Sequence, residues 1–284
     1  MTRPLVFGKT GQVARELRAL APDAVFLGRD QADLLDPAAC AAAIRDHMPC
    51  FVINAAAWTA VDKAEPEEDS ATIINGDAPA AMARACADLA IPFVHISTDY
   101  VFDGTGSAAF APDHPSAPLG AYGRSKLRGE EAVRRAGGTY VILRTSWVFS
   151  AHGTNFLKTM LRLGAERTRL TVVSDQIGGP TPARAIASAC LTIATQLQRN
   201  PAKSGTYHLS GTPDVSWAEF ARAIMAQAGL ACEIADIPSA AYPTPARRPA
   251  NSRLNCDSLA VFGIDRPDWR AAVTQTLKDL EVSL

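Results

Sequence analysis

Tyr122 and Lys126 stand four residues apart in the segment Tyr122-Gly-Arg-Ser-Lys126, a spacing at which the two side chains could act together. On a helix, residues four apart share one face, so the phenol and the ammonium could reach the same site. A phenol has a pKa of about 10, and a neighbouring ammonium lowers that pKa by stabilising the phenolate. The pair therefore predicts a proton donor for the oxygen of a carbonyl group that receives hydride. The structural alternative is two unrelated polar residues on an exposed helix face.

A second group of polar residues, Ser97-Thr98-Asp99-Tyr100, follows the apolar segment Phe93 to Ile96. A Ser or Thr hydroxyl at the end of a strand can donate a hydrogen bond to the carbonyl oxygen of a substrate. This hydroxyl, followed by Tyr-x-x-x-Lys on the next helix, favours an enzyme over a purely structural role.

Two glycines near the start of the chain could bind phosphate. Gly8 and Gly11 lie between the first apolar segment and the first amphipathic helix. A dinucleotide pyrophosphate needs backbone amides and a helix N-terminus at this place, and glycine lets the backbone approach it. Ala14 stands where the usual fingerprint has a third glycine, but alanine is small enough for close helix–strand packing. The loop predicts a nicotinamide dinucleotide site, and a turn without a ligand is the alternative.

The choice between NADPH and NADH depends on the residues after the second predicted strand, Gly28-Arg29-Asp30. Arg29 could bind a 2′-phosphate, whereas Asp30 could bind a free 2′-hydroxyl. Either residue could also be a solvated loop charge. The expected cofactor is NADPH, with NADH as the alternative.

Apolar segments that alternate with helices must position these residues. Strands are predicted at 5–7, 24–27, 51–53, 93–97 and 140–143, and helices at 12–20, 37–47, 75–89 and 122–136. The alternation predicts an α/β fold with a doubly wound parallel sheet of the Rossmann type, which binds ligands at the carboxyl ends of its strands. Residues 1–147 are expected to form the dinucleotide-binding domain. Residues 148–284 are expected to form mainly a smaller substrate-binding lobe, with some segments returning to the first domain; they include predicted helices at 155–163 and 216–228 and a Pro-rich loop at 237–249.

The composition is that of an ordinary globular protein, with 284 residues, of which 48% are hydrophobic and 20% charged. A formal net charge of −1 excludes a broad basic surface, so nucleic acid is not an expected partner. No apolar stretch is long enough for a signal peptide or a membrane span, which favours a cytoplasmic enzyme. The six cysteines lack metal-ligand spacing and are expected to be reduced thiols.

Several motifs together resemble the dTDP-4-dehydrorhamnose reductases, a family of extended short-chain dehydrogenases. The matching blocks run from residue 7 to about residue 255, and the last two distinguish this family from other short-chain dehydrogenases. The blocks are Gly8-Lys9-Thr10-Gly11-Gln12-Val13, Asn54-Ala55-Ala56-Ala57, Thr59-Ala60-Val61-Asp62-Lys63-Ala64-Glu65, Ser97-Thr98-Asp99-Tyr100-Val101-Phe102, Tyr122 with Lys126, Arg144-Thr145-Ser146-Trp147-Val148-Phe149, Asp175-Gln176-x-Gly178-x-Pro180-Thr181 and Pro243-Thr244-Pro245-Ala246-Arg247-Arg248-Pro249.

The resemblance implies that NADPH or NADH reduces the C4 ketone of dTDP-4-dehydro-L-rhamnose, giving dTDP-L-rhamnose for surface polysaccharides such as lipopolysaccharide. It implies that Tyr122 is the proton donor, that Lys126 tunes it and holds the nicotinamide ribose, and that Thr98 orients the carbonyl. The implied cofactor residues are Gly8, Gly11, Gln12, Val13, Arg29, Asp33, Leu34, Ala55, Ala56, Ala57, Tyr122 and Lys126. The implied substrate residues are Thr98, Asp99, Tyr100, Tyr122, Trp147, Arg247 and Arg248.

Metal binding and assembly follow from the resemblance alone. Some members of the family bind Mg²⁺ at a dimer contact, which makes a homodimer and Mg²⁺ expectations for this chain. The sequence contains no cluster of acidic residues that would establish such a site, so no residue is assigned as a metal ligand.

Three other functions remain open. The β subunit of methionine adenosyltransferase resembles the same family and serves as a non-catalytic regulatory subunit, but the intact Thr98, Tyr122 and Lys126 favour an enzyme. Epimerases and dehydratases of nucleotide sugars share the cofactor lobe and the Tyr/Lys pair. Dehydratases also need Asp-Glu after the Thr, whereas Asp99-Tyr100 follows it here, which argues against elimination. Another nucleotide-sugar reductase is the third alternative.

Overall fold

The computed structural model describes residues 2–282, in which short strands alternate with helices. The strands, in chain order, are β1 (Leu5–Phe7), β2 (Val25–Leu27), β3 (Val52–Asn54), β4 (Phe93–Thr98), β5 (Tyr140–Thr145), β6 (Val148–Phe149), β7 (Arg169–Val173), β8 (Ile177–Gly178), β9 (Thr181–Pro182), β10 (Gly205–Leu209), β11 (Val215–Ser216), β12 (Glu233–Ile237) and β13 (Asn251–Ser252). The α-helices are α1 (Gln12–Leu20), α2 (Pro37–His47), α3 (Val61–Ala64), α4 (Glu68–Thr72), α5 (Ala78–Asp88), α6 (Ala121–Ala136), α7 (Phe156–Glu166), α8 (Ala183–Arg199), α9 (Trp217–Gln227) and α10 (Trp269–Asp279).

A six-stranded parallel sheet in the order β10-β5-β4-β3-β1-β2 forms the centre of the molecule. Helices α1 and α8 cover one face, and α2, α5 and α6 cover the other. Successive residues of a strand point to opposite faces, so Val6 packs with the first set of helices and Leu5 and Phe7 with the second. Both faces are therefore buried, which explains why the strands are almost entirely apolar. The predicted doubly wound α/β fold is confirmed.

The sheet also contains elements from the second half of the chain. Strand β10 pairs with β5 along its whole length, and α8 contributes Ile186, Cys190 and Ile193 to the core beneath the sheet. The order of the strands changes direction at β1 and β3, so the crevice above their carboxyl ends is the expected place for a ligand.

A second hydrophobic core lies among α7, α9, α10, β7 and β12. Strands β7 and β12 form a parallel pair, and β11, β8 and β13 form a small sheet beside it. The predicted helices at 155–163 and 216–228 correspond to α7 and α9. None of the helices within residues 2–282 is long and apolar enough to cross a membrane.

The helix predicted at 75–89 differs from the observed one. The helical path begins earlier, with α4, and passes through a π-helical segment at Ile73–Asp77 before α5. Asn75 and Gly76, which favour a helix start in sequence, lie inside that segment, where the Asn75 amide holds neighbouring loops. Tertiary hydrogen bonds therefore override the local signal.

Candidate active site

The ends of β4 and β5 and the first turns of α6 bring the predicted catalytic residues together. Helix α6 starts at Ala121, whose backbone N–H donates to Glu65 Oε1 at 3.0 Å, so an acidic side chain satisfies the N-terminus of the helix. Thr98 and Thr145 are register partners at the carboxyl ends of β4 and β5. Thr145 Oγ1 is buried and has no hydrogen-bond partner within residues 2–282, which is the expected state of a hydroxyl that a ligand would satisfy.

Tyr122 is buried beside Thr98. Burial raises the pKa of the Tyr122 phenol, a side-chain hydrogen bond with Thr98 opposes the shift, and the charge of Asp99 adds to it. The Lys126 ammonium makes its own contacts with His95 and Ile96 of β4. That Lys126 lowers the pKa of Tyr122 stays a prediction.

Lys126 is almost fully buried, with 2% of its surface exposed. Its Nζ donates to the Ile96 carbonyl at 2.7 Å and lies 3.3 Å from His95 Nε2. Burial lowers the pKa of Lys126 to about 8, although the charge of Glu130 opposes the shift. The side chain therefore exchanges protons closer to neutrality than a solvated lysine does.

Asp99 and Tyr100 follow Thr98 in a short 3₁₀ turn. The Thr98 hydroxyl donates to Asp99 Oδ1 at 3.0 Å, and burial raises the pKa of Asp99 to about 6. The Tyr100 ring meets the Tyr122 ring edge to face, with 5.4 Å between the centroids. Tyr100 thus forms a wall of the site next to the predicted proton donor.

The two arginines of the predicted substrate site differ in position. Arg248 donates to Asp62 Oδ2 at 2.7 Å and lowers the pKa of Tyr100, which burial raises to about 12. Its Nη1 is buried without a hydrogen-bond partner in the described chain, so it could bind a ligand oxygen. Arg247 is exposed and makes no hydrogen bond with the described residues, so the structure does not bring it to Tyr100.

Trp147 occupies a strained position between β5 and β6. Its φ is 49°, in the left-handed region that large side chains rarely adopt. The indole stacks on Trp217 with ring centroids 3.6 Å apart, and a Cβ at Gly178 would lie 2.9 Å from the indole ring. Packing on both sides holds this backbone conformation, which is a common feature of binding sites.

The glycine loop fits a dinucleotide. Gly8 has a φ of +115°, and a Cβ there would lie 3.3 Å from the backbone of Ala55, so only glycine fits without strain. No side chain caps α1 at Gly11, which leaves amides of its first turn for an anion. Gln12 reaches the second half of the chain, because its Oε1 accepts from Ser150 Oγ and Asn155 Nδ2, each at 2.9 Å.

Charged residues surround the end of β2. Arg29 is exposed, and its Nε lies 4.0 Å from Asp33 Oδ1. Lys9 lies 3.7 Å from Asp30 and hydrogen-bonds Gln31, so a second cation stands near Arg29. Of the other predicted cofactor residues, Val13 is half-buried on α1, Leu34 packs against the core beside α2, Ala55 and Ala56 are half-buried after β3, and Ala57 is exposed.

Comparison with known proteins shows the family of the chain. Residues 2–282 match the family model described as the RmlD substrate binding domain. A dTDP-4-dehydrorhamnose reductase of Burkholderia thailandensis is 47% identical, with 97% of this chain and 98% of that protein covered. One from Sinorhizobium fredii is 46% identical, with 94% of each covered. A solved structure of the reductase from Bacillus anthracis in complex with NADP has a TM-score of 0.90 at 32% identity, covering 98% of this chain and 99% of that chain.

The chain belongs to the dTDP-4-dehydrorhamnose reductase family. The resemblance inferred from the motifs is therefore confirmed. As a member of this family, the chain is an oxidoreductase with an extended short-chain dehydrogenase fold. Within the described residues, no group of three or more His, Cys, Asp or Glu side chains could hold a metal ion. All six cysteines are free thiols.

In this reductase fold, sequence reasoning missed a buried ionic network behind the predicted catalytic residues. Glu130, fully buried on α6, accepts from Ser97 Oγ at 2.6 Å and from Arg144 Nη2 at 2.6 Å. Arg134 also donates to it at 2.7 Å. The network joins α6 to β4 and β5 and so fixes Tyr122 relative to Thr98. The sequence contained a signal for this network, because Glu130 lies four residues beyond Lys126 on the same helix face.

Proposed function

We propose that this chain reduces the C4 ketone of dTDP-4-dehydro-L-rhamnose with NADPH or NADH, giving dTDP-L-rhamnose for polysaccharide biosynthesis. One observation carries the proposal. Tyr122 and Thr98 form a buried hydroxyl pair at the carboxyl edge of the sheet, in a chain 46–47% identical to reductases of that name. A carbonyl oxygen placed between these hydroxyls would receive a hydrogen bond from Thr98 and a proton from Tyr122.

The proposed roles follow from what each side chain contacts. When bound, the nicotinamide cofactor supplies the hydride. Tyr122 donates the proton, because burial keeps its phenol protonated at neutral pH. Thr98 orients the carbonyl, and Lys126 holds the cofactor ribose and takes part in proton exchange. The single Thr98 proton, which Asp99 Oδ1 accepts in this structure, would turn to the carbonyl oxygen of the bound substrate.

The proposed cofactor site is built around the glycine loop. Gly8 and Gly11 let the pyrophosphate approach the N-terminus of α1, where Gln12 and Val13 supply backbone amides. The remaining proposed cofactor residues lie after β2 and β3 and are Arg29, Asp33, Leu34, Ala55, Ala56 and Ala57.

The proposed sugar and diphosphate sites use residues from both halves of the chain. Tyr100 and Trp147 are proposed to line the pocket of the 6-deoxy sugar. Arg248 has a free buried nitrogen for a phosphate or sugar oxygen, and its ion pair with Asp62 holds it in place. Arg247 is proposed as a second, solvent-facing diphosphate contact.

Arg29 tests the cofactor preference. Its exposed guanidinium is available for a 2′-phosphate, so Arg29→Ala should weaken the binding of NADPH more than that of NADH. The measurement is the Kd of each cofactor by fluorescence titration, with Arg45→Ala as a control on another part of the surface. Equal effects on the two Kd values would mean that Arg29 does not recognise the 2′-phosphate.

The first experiment is to follow the absorbance of NADPH, and of NADH in parallel, with dTDP-4-dehydro-L-rhamnose generated in situ. Rapid oxidation that yields dTDP-L-rhamnose is the expected result, and the UDP-linked keto-sugar serves as the comparison for nucleotide choice. Binding of NADPH without turnover of either sugar would instead favour the regulatory-subunit function. A homodimer in the cytoplasm is the proposed setting, which sedimentation and cell fractionation would test.

A further inference from the structure

A chain of buried hydrogen bonds leads from Lys126 to β4 and β3. Its members are Asn54 at the end of β3, His95 on β4 and Lys126 on α6, each no more than 2% exposed. Asn54 lies 3.2 Å from His95 Nδ1, and His95 Nε2 lies 3.3 Å from Lys126 Nζ. The proposed reaction assigns no role to His95 or Asn54.

The backbone fixes the orientation of the Asn54 amide. The Ala56 N–H donates to Asn54 Oδ1 at 3.2 Å, so the amide nitrogen, Nδ2, is the atom that faces His95. An amide nitrogen can only donate a hydrogen bond. His95 Nδ1 is therefore an acceptor and carries no proton.

This contact determines the tautomer of the His95 ring. Burial and the neighbouring Lys126 hold the pKa of His95 well below its ordinary value, so the ring is neutral and carries one proton. Because Nδ1 accepts from Asn54, that proton is on Nε2, which points at Lys126 Nζ. An ammonium has no lone pair to accept this N–H, whereas a neutral amine has one.

We infer that His95 is a positioning residue of the reductase reaction: Asn54 holds it as the Nε2–H tautomer, which anchors Lys126 and favours its neutral amine form. The inference rests on the proposed function, since it assigns the amine a place in proton exchange. After Tyr122 has given its proton to the carbonyl oxygen, the phenolate must regain one. The Lys126 ammonium would supply that proton through intervening water, and the resulting amine would regain its proton from solvent.

Within residues 2–282, no charged group packed around Lys126 favours its neutral amine form as His95 does. Glu130, one turn further along α6, favours the ammonium, but its own charge is shared with Arg144 of β5 and Arg134 of α6. On β4 the nearest partners are the neutral His95 and the Ile96 carbonyl, and the carbonyl accepts from either form of Lys126. His95 is thus the group that distinguishes the amine from the ammonium.

Nuclear magnetic resonance tests the tautomer without any turnover. In protein labelled with ¹⁵N-histidine and saturated with NADPH, the proton of His95 should reside on Nε2. Asn54→Asp has the same shape but offers a carboxylate oxygen to the ring, so the proton should move to Nδ1. A wild-type ring protonated on Nδ1 would overturn the inference.

The pH profile of kcat tests the consequence for Lys126. We expect a basic limb as Lys126 loses its proton, and His95→Gln should move that limb upward by about one pH unit, because the amide oxygen can accept from the ammonium. The ¹³Cε resonance of Lys126 should titrate at the same higher pH. Phe93→Leu is the matched control, since it changes the ring that stacks on His95 but no hydrogen bond to Lys126. Its limb should stay in place.

The outcomes separate this inference from the proposed function. If the basic limb and the Lys126 resonance are unmoved in both His95→Gln and Asn54→Asp, His95 does not govern Lys126. If the wild-type protein binds NADPH but reduces no keto-sugar, the proposed function fails, while the tautomer and the lysine titration still decide the inference.

Discussion

At the scale of single residues, burial makes Tyr122 a weak acid that stays fully protonated. Its pKa is raised, so the phenol carries its proton throughout the neutral range and releases it only to a strong acceptor. The oxygen of a carbonyl group whose carbon has begun to receive hydride is such an acceptor. The side-chain hydrogen bond with Thr98 lowers the pKa of the phenol and so partly offsets the effect of burial.

Tyr122→Phe tests this role. Removing the phenol oxygen takes away the proton donor and leaves the glycine loop untouched, so kcat should fall by about 100-fold or more while the Kd for NADPH changes little. Steady-state kinetics and a fluorescence titration measure the two quantities. Tyr140→Phe, on the far end of β5, is the control and should keep its activity. Near-normal turnover of Tyr122→Phe would assign the acid to another group.

The raised pKa of Asp99 predicts how the free energy of unfolding depends on pH. Burial raises its pKa from 3.8 to about 6, so the folded state holds the proton more tightly than the unfolded state does. Its contribution to stability is complete below pH 4 and is lost as the pH rises to about 6. Between pH 4 and pH 6 the wild type should therefore lose about 3 kcal/mol in free energy of unfolding that Asp99→Asn does not lose. Urea unfolding at several pH values measures the difference, and a constant difference would contradict the shift.

Residue types and spacing were enough to predict that Tyr122 and Thr98 lie side by side. They could not predict where the Lys126 amine points, because that depends on a carbonyl of β4 and on His95, which the chain brings close only by folding. The same limit applies to Arg247 and Arg248. The two are adjacent and identical in type, and only Arg248 meets an acid from a distant segment, Asp62.

At the scale of elements, α6 carries Tyr122 and Lys126, two of the proposed catalytic residues, and packs unusually close to its neighbours. A Cβ at Gly123 would lie 2.2 Å from the Tyr100 carbonyl oxygen, and one at Gly129 would lie 2.1 Å from the Asn75 carbonyl oxygen. These two glycines let the helix approach the backbone of the 3₁₀ turn on one side and of the π-helical segment on the other. Asn75 also donates to Ser125 Oγ on α6 at 3.0 Å.

Gly129→Ala tests that close approach. On an exposed helix the change would add up to about 1 kcal/mol of stability, because alanine is the better helix former. Here the new methyl group meets a carbonyl oxygen, so we expect a loss of about 2 kcal/mol in thermal or urea unfolding. Arg135→Ala, on the exposed side of the same helix, should be nearly neutral. A stabilised Gly129→Ala protein would show that α6 can move away from Asn75 at little cost.

The strands of the sheet were predictable because apolar segments of three to six residues, bounded by turns, are typical of buried strands. The π-helical segment was not predictable. The segment contains Asn75, whose side chain makes two hydrogen bonds with the backbone of Trp58. No local sequence pattern encodes that long-range contact.

At the scale of the whole molecule, the two halves of the chain share one core. More than half of the buried residues in the core beneath α1 and α8 come from beyond residue 147, among them Ile186, Ile193, Leu209 and Phe262. Gln12 of the glycine loop is also held by Ser150 and Asn155. The proposed cofactor site therefore depends on segments that follow the predicted boundary at 147.

A fragment of residues 1–147 should consequently fail to fold. Without α8 and β10, the inner face of the sheet, including Val94, Val141 and Leu143, would be exposed to water. Each such side chain contributes about 1.5–3 kcal/mol when buried, so the loss exceeds the stability of a typical domain. We expect no cooperative thermal transition by circular dichroism and no NADPH binding. Adding the 148–284 fragment should restore the transition and NADPH binding if the lack of α8 and β10 is the cause. A cooperative transition in the 1–147 fragment alone would show that the first half is an independent domain.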